Sequence, residues 1–227
     1  MTIKQFLYSS VGTKAVMALT GLFLSIFLIE HLYGNLLLFY NDGGNAFIEY
    51  SHTLVHSLFI RIVEIFLFAS LIAHVAQAIR ITRQNSEVRP VKYSVYKVKE
   101  TSTWFSRNMG ITGSVILFFI VVHLWQFFVP YRITGTVGGE GQVNVAQEVK
   151  EAFQNGWYAA LYLVSVAFLA FHLNHGFQSS FRTLGLNNRK YENVISLAGS
   201  IFAFVIVGAG FASFPILFYF GIAGSTF

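Results

Sequence analysis

The chain has 227 residues, of which 55% are apolar, 17% are aromatic and only 11% are charged, and its mean hydropathy is +0.59. This composition excludes an ordinary soluble domain and predicts an integral membrane protein. The formal net charge of +5 comes from basic loops, which we expect to contact anionic lipid or a partner protein, with no nucleic acid as a partner.

Five apolar segments are long enough to cross a bilayer as helices. They cover approximately residues 15–40, 58–80, 110–130, 157–181 and 194–221. Each segment reaches the roughly 20 residues that a spanning helix needs, and none alternates as the strands of a barrel do. We therefore predict a single membrane domain, residues 1–227, folded as an all-α bundle of five transmembrane helices.

Lysine and arginine are concentrated at one end of the predicted bundle. They lie before the first helix, in the connection 81–107 and in the connection 182–193, whereas the connections 41–57 and 131–156 have more acids than bases. The positive-inside rule then places the N-terminus in the cytoplasm and the C-terminus outside. We name the two ends of the bundle the basic end and the far end.

Four of the five helices carry a histidine in their second half: His31, His74, His123 and His172. A titratable ring inside a membrane indicates a functional site. One histidine on each of four helices is typical of axial ligands for two haems. Because alternate helices run in opposite directions, we predict an outer haem b held by His31 and His123. The inner haem b is then held by His74 and His172.

An internal repeat supports this interpretation. Thr20-Gly21 precedes His31 as Thr112-Gly113 precedes His123, with ten residues from each glycine to its histidine. The same rise of about 15 Å presents both rings at one depth. The chain has no cysteine, so any haem is held without covalent attachment, and no all-cysteine iron–sulfur cluster is possible. Two imidazoles on one iron leave no site for oxygen and indicate electron transfer.

Some assignments at the basic end have alternatives. His175 follows His172 by three residues on nearly the same helix face and is the alternative fourth ligand. Guanidinium groups suit carboxylates, so basic-end arginines are candidate partners for the propionates of the inner haem. These arginines are Arg107 and Arg182, with Arg80 and Arg83 as further candidates.

The segments around the histidines carry a family resemblance: residues 27–31, 72–74, 112–125 and 171–185. Across essentially the whole chain they resemble the dihaem cytochrome b membrane anchor of succinate dehydrogenase and fumarate reductase complexes, of the single-anchor, five-helix type. The family places its fourth ligand four residues before a glycine, a spacing that Gly176 gives to His172 and not to His175. Some members have a glutamate for transmembrane proton movement where this chain has Ala170, which puts such a path in doubt.

The resemblance implies the rest of the complex. A flavoprotein subunit with FAD interconverts succinate and fumarate, and a subunit with iron–sulfur clusters docks on the cytoplasmic face. Electrons then pass between the clusters, the inner haem, the outer haem and a membrane quinone, for which we expect menaquinone. The implied location is the inner membrane of a bacterium, and the whole complex could form oligomers. The isolated chain would supply electron transfer and a quinone site only.

A quinone site requires a proton-exchanging group beside an apolar cleft. We predict this site in the outer half, where the candidates are Glu30, Asn35, His56, Arg61 and Glu64. Arg61 and Glu64 could instead form a local ion pair. A rival quinone site lies at the basic end and comprises Trp104, Ser106 and Arg107.

Two other functions remain open at this point. The first is a dihaem cytochrome b of another quinone-linked dehydrogenase or hydrogenase. The second is a haem-free transporter or proton channel that uses histidines as relays, for which midplane helix breaks and inverted repeats are typical. The sequence shows neither of those features.

Overall fold

The computed structural model describes residues 2–88, 104–135 and 144–223, and all regular structure in these ranges is helical. Five helices in the described ranges are long and apolar enough to cross a membrane, which confirms the predicted bundle. We number these spanning helices first to fifth: Ser10–Phe39, Leu58–Gln84, Met109–Ile133, Gly156–Thr183 and Glu192–Tyr219. The first begins earlier than predicted because the Ser9 hydroxyl accepts a hydrogen bond from the Gly12 amide and caps it.

Shorter helices lie at the two ends of the bundle. At the basic end, Ile3–Tyr8 precedes the first spanning helix, the second continues to Val88, and Trp104–Arg107 precedes the third. At the far end, Asn45–His56 forms the first connecting helix and Val145–Gln154 the second. The second connecting helix buries Ala146, Val149 and Phe153 in a cluster with residues of the first, fourth and fifth spanning helices.

The fifth spanning helix packs closely against the first and the fourth. A Cβ atom at Gly199 would lie 2.8 Å from a ring carbon of Phe177, and one at Gly210 would lie 2.8 Å from a methyl carbon of Leu32. A side chain at either position would force the neighbouring side chain to shift, and such close contacts at small residues are usual where membrane helices pack. The fourth helix contacts the first, third and fifth and has buried residues from Ala159 to Ser180, so it lies at the centre of the bundle.

The third spanning helix changes register immediately after His123. Residues Leu124–Ile133 form a π-helix that contains Pro130. Proline lacks an N–H and clashes with the carbonyl one turn earlier, and a wider turn accommodates both effects. The π-helix determines how the end of the third helix faces the second, including the position of Arg132. A second π-helix, Ile201–Ala209, lies in the fifth spanning helix.

Candidate functional site

Two pairs of histidine rings meet inside the bundle. The ring centroids of His31 and His123, on the first and third spanning helices, are 5.7 Å apart with an interplanar angle of 86°. Those of His74 and His172, on the second and fourth, are 6.3 Å apart at 64°. The histidines that meet in the structure are the same pairs that we expected to share a depth from the alternating directions of the helices.

The separation within each pair fits a haem iron. With a metal–nitrogen bond of about 2 Å and ring nitrogens about 1 Å from the ring centroid, imidazoles on opposite sides of one iron have centroids about 6 Å apart. Two histidines fill both axial positions of a haem. In the described ranges, no group of three or more histidine or acidic side chains could hold a metal ion. The donor set therefore suits a haem better than a bare ion.

Threonine hydroxyls of the internal repeat contact both rings of the His74–His172 pair. Thr20 Oγ1 lies 3.2 Å from His74 Nδ1, and Thr112 Oγ1 lies 3.3 Å from His172 Nδ1. Each hydroxyl donates its hydrogen to a backbone carbonyl of its own helix, so its oxygen is left to accept from the ring N–H. A hydrogen at Nδ1 leaves Nε2 unprotonated, which is the form that coordinates a metal.

The glycine after each threonine lies against the same imidazole. A Cβ atom at Gly21 would be 3.2 Å from His74 Cε1, whereas one at Gly113 would be 3.7 Å from His172 Cε1. The repeat therefore shapes the histidine pair nearer the basic end. The histidines of the same two helices form the other pair, so both pairs depend on the first and third helices.

Aromatic side chains surround the His31–His123 pair. His123 Nδ1 lies 2.8 Å from the Tyr162 hydroxyl, which lies 3.1 Å from the Tyr158 hydroxyl. The His31 ring stacks on Phe27 at 5.2 Å and 17°. Three of the four histidines therefore have an oxygen at Nδ1, whereas His31 has the Asn35 amide nitrogen 3.4 Å from its Nδ1 in addition to the stacking on Phe27.

A family model for the succinate dehydrogenase/fumarate reductase transmembrane subunit matches residues 83–208, more than half of the chain. The chain belongs to this family. No curated protein and no solved structure matches it. As a member of the family it is a multi-pass membrane protein and a subunit of a larger complex. The matched stretch includes the third and fourth spanning helices, and thus one histidine of each pair.

The basic end of this transmembrane subunit holds the remaining predicted ligands and arginines. His172, and not His175, is the residue whose ring meets His74. Arg182 lies near His175 and forms an ion pair with Glu192 at 3.3 Å, with both side chains about half exposed. Arg107 is also exposed. Arg182 lies near the end of the helix that carries His172, and Arg107 lies just before the third spanning helix, at the same basic end of the bundle.

A charged cluster lies at the far end of the transmembrane subunit. Arg61 donates to both carboxylate oxygens of Glu64 at 2.9 Å, so the local ion pair expected as an alternative is present. Arg132 of the third helix adds a contact to Glu64 at 3.4 Å. The Arg132 side chain is 17% exposed and that of Arg61 is 48% exposed. Arg132, which the sequence analysis did not indicate, is thus the less exposed of the two arginines that contact Glu64.

Glu30 has a separate partner at the same end. The Tyr50 hydroxyl, on the first connecting helix, donates to Glu30 at 2.7 Å. Burial and this interaction with Glu30 raise the pKa of Tyr50 above its ordinary value. The His56 ring is 4.2 Å from that of His52, and Asn35 donates to the His31 carbonyl at 2.7 Å. The predicted quinone-site residues are therefore divided among several contacts at the far end.

Tyr162, Arg132 and Tyr50 were not identified from the sequence. For Tyr162 a signal was available: it lies ten residues before His172, as Gly21 lies ten residues before His31. A residue ten positions earlier is about 15 Å away along the helix. The fourth helix runs antiparallel to the first and third, so Tyr162 lies at the depth of the His31–His123 pair. For Arg132 and Tyr50 no comparable spacing exists.

Proposed function

We propose that this transmembrane subunit is the dihaem cytochrome b anchor of its complex. His31 and His123 would hold one haem b, and His74 and His172 the other. The observation that carries the proposal is the approach of four histidine rings in two pairs, at separations of 5.7 Å and 6.3 Å. When bound, the haems supply two one-electron centres that link an iron–sulfur subunit with a membrane quinone.

The protein's own residues prepare these sites. Thr20, Thr112 and Tyr162 orient three of the imidazoles. Such contacts normally fix the tautomer of a ligating histidine and increase its basicity. His175 stays the alternative to His172, and Arg107 and Arg182 stay the proposed partners for the propionates of the haem nearer the basic end.

The charge pattern supports an orientation for the subunit. We assign the basic end to the cytoplasm, where the iron–sulfur subunit and its flavoprotein would dock, and the far end to the outside of a bacterial inner membrane. The His74–His172 pair is then the inner pair, nearer the iron–sulfur clusters. The His31–His123 pair is the outer pair, nearer the proposed quinone site.

We place the quinone, of the menaquinone type, near Glu30, His56, Arg61 and Glu64. Glu64 lies ten residues before His74, so it projects toward the depth of the outer histidine pair. Its carboxylate is shared by two guanidinium groups, which suit a site where a reduced quinone gains negative charge. The Tyr50–Glu30 hydrogen bond supplies groups that can exchange protons with the quinone.

Haem content tests the proposal first. The purified complex, reduced with dithionite, should show b-type bands from two haems per chain, together with a flavoprotein subunit. His123→Ala should remove one haem and His74→Ala the other, whereas the exposed His52→Ala should retain both. A preparation without haem would refute the electron-transfer function and favour a transporter. Two haems without a flavoprotein would favour another dehydrogenase or a hydrogenase.

Quinone turnover in the haem-replete complex tests the quinone site. Glu64→Gln and His56→Ala should each reduce the rate of quinone turnover. Glu151→Gln, which changes an exposed carboxylate on the second connecting helix, is the matched control. Unchanged turnover in the first two variants would exclude the far-end site and favour the rival site around Ser106 and Arg107.

A further inference from the structure

We propose that Tyr162, supported by Tyr158, is a positioning residue that lowers the reduction potential of the haem held by His31 and His123. This inference rests on the proposed function, because it requires a haem at that pair. It adds a role for two tyrosines that touch neither the iron nor the quinone in the arrangement described above. Among the described residues, a chain of two hydrogen-bonded phenols contacts the His31–His123 pair and not the His74–His172 pair.

The Tyr162 hydroxyl occupies a fixed position. The residue is 6% exposed. Its ring makes edge-to-face contacts with Phe119 at 4.7 Å and with Phe153 at 4.8 Å. These two rings come from the third spanning helix and the second connecting helix. Packing from both sides leaves the phenol oxygen directed at His123 Nδ1, 2.8 Å away.

The donors in this chain follow from the ligand role of His123. If Nε2 binds the iron, Nδ1 carries the hydrogen and donates it to the Tyr162 oxygen. The Tyr162 hydrogen is then free to be donated to Tyr158, whose oxygen is 3.1 Å away. Donation to Tyr158 polarises the Tyr162 oxygen and makes it a better acceptor. His123 is thus held in one orientation and one tautomer by two phenols in series.

This arrangement affects the redox equilibrium. An acceptor at Nδ1–H makes the imidazole a stronger electron donor to the metal. A stronger donor stabilises the oxidised iron relative to the reduced iron and so lowers the reduction potential. At the His74–His172 pair the acceptors are threonine hydroxyls whose own hydrogens go to backbone carbonyls. Only the His31–His123 pair has a phenol chain within the described residues, so the two haems should respond to different substitutions.

A redox titration of the whole complex tests this inference. Tyr162→Phe should shift the equilibrium of the outer haem roughly threefold toward reduction, which is about 28 mV for one electron. Tyr158→Phe should shift it in the same direction by less. Thr112→Val should shift only the inner haem. Tyr40→Phe, at an exposed tyrosine, is the matched control and should shift neither.

Each outcome decides the inference. His123→Ala, which removes the outer haem, identifies its potential in the titration. A rise confined to that potential in Tyr162→Phe supports the role, and an unchanged potential with both haems present overturns it. If Tyr162→Phe loses the haem, Tyr158→Phe decides: a rise supports the inference and no change overturns it. If the unaltered complex contains no haem, the proposed function fails, which is a separate result.

Discussion

Alanine substitutions at the two glycines of the internal repeat should have different effects, although the two glycines occupy equivalent places in the sequence. A Cβ atom at Gly21 would lie 3.2 Å from His74 Cε1, closer than normal van der Waals contact, whereas one at Gly113 would lie 3.7 Å from His172 Cε1. Gly21→Ala must therefore push the His74 ring by a few tenths of an ångström. Metal-ligand distances tolerate only about 0.2 Å. Gly113→Ala requires no movement.

The expected effect is large enough to measure. Overpacking of this kind costs about 1–3 kcal/mol, which corresponds to a roughly 5- to 150-fold weaker haem affinity. Alanine is better than glycine in a helix by about 1 kcal/mol, so neither substitution should weaken the helix itself. We therefore expect Gly21→Ala to lose the haem of the His74–His172 pair selectively. Gly113→Ala should keep both haems and be at least as stable as the unaltered protein.

Haem per chain is the appropriate assay, measured from reduced-minus-oxidised spectra of the purified complex. A titration with added haem then gives the change in affinity. The reasoning would be refuted if Gly21→Ala retained two haems with an unchanged spectrum. Equal loss of haem from both variants would also refute it, because the difference in clearance would then have no consequence.

Three further predictions concern the remaining candidates. His172→Ala should remove one haem while His175→Ala retains two, by the same spectra; the reverse result would make His175 the ligand. Because burial and Glu30 raise the pKa of Tyr50, this phenol contributes stability below about pH 10 and loses it as the pH rises through its folded-state pKa. Glu30→Gln should lower that pKa, measured by tyrosinate absorbance with Tyr50→Phe as the reference. Glu64→Gln leaves two guanidinium groups without their carboxylate and should destabilise the solubilised complex by about 1 kcal/mol, since the cluster is partly exposed; an unchanged melting temperature would contradict this.

The sequence predicted the helices and the histidine pairing because both depend on features that are local or periodic. Hydropathy determines which segments can span a bilayer, and alternating direction determines which histidines share a depth. Partners of the histidines were harder to predict. Whether Tyr162 faces His123 depends on how the third and fourth helices are rotated about their axes, and hydropathy that is nearly uniform around a helix does not specify that rotation.

Arg132 shows a second reason. It lies nine residues after His123, and an ideal α-helix would predict its direction from that spacing. The π-helix between them changes the register, so the α-helical prediction fails for every residue from Leu124 onward in this helix. Pro130 is visible in the sequence, but its effect on Arg132 depends on whether the helix kinks, ends or widens.

The ten-residue offset explains why the two histidine pairs have different surroundings. The residue ten positions before the histidine is Gly21 on the first helix and Gly113 on the third. On the second helix it is Glu64, and on the fourth it is Tyr162. Because neighbouring helices run in opposite directions, the glycines reach the pair near the basic end and the polar side chains reach the depth of the pair near the far end. The His74–His172 pair is therefore shaped by the approach of Gly21 and Gly113, with the hydroxyls of Thr20 and Thr112 as its hydrogen-bond partners. The His31–His123 pair has the Glu64 carboxylate and the Tyr162 phenol at its depth. A site that couples electron and proton transfer requires groups of this kind. This difference, independently of the charge pattern of the loops, favours quinone chemistry at the far end.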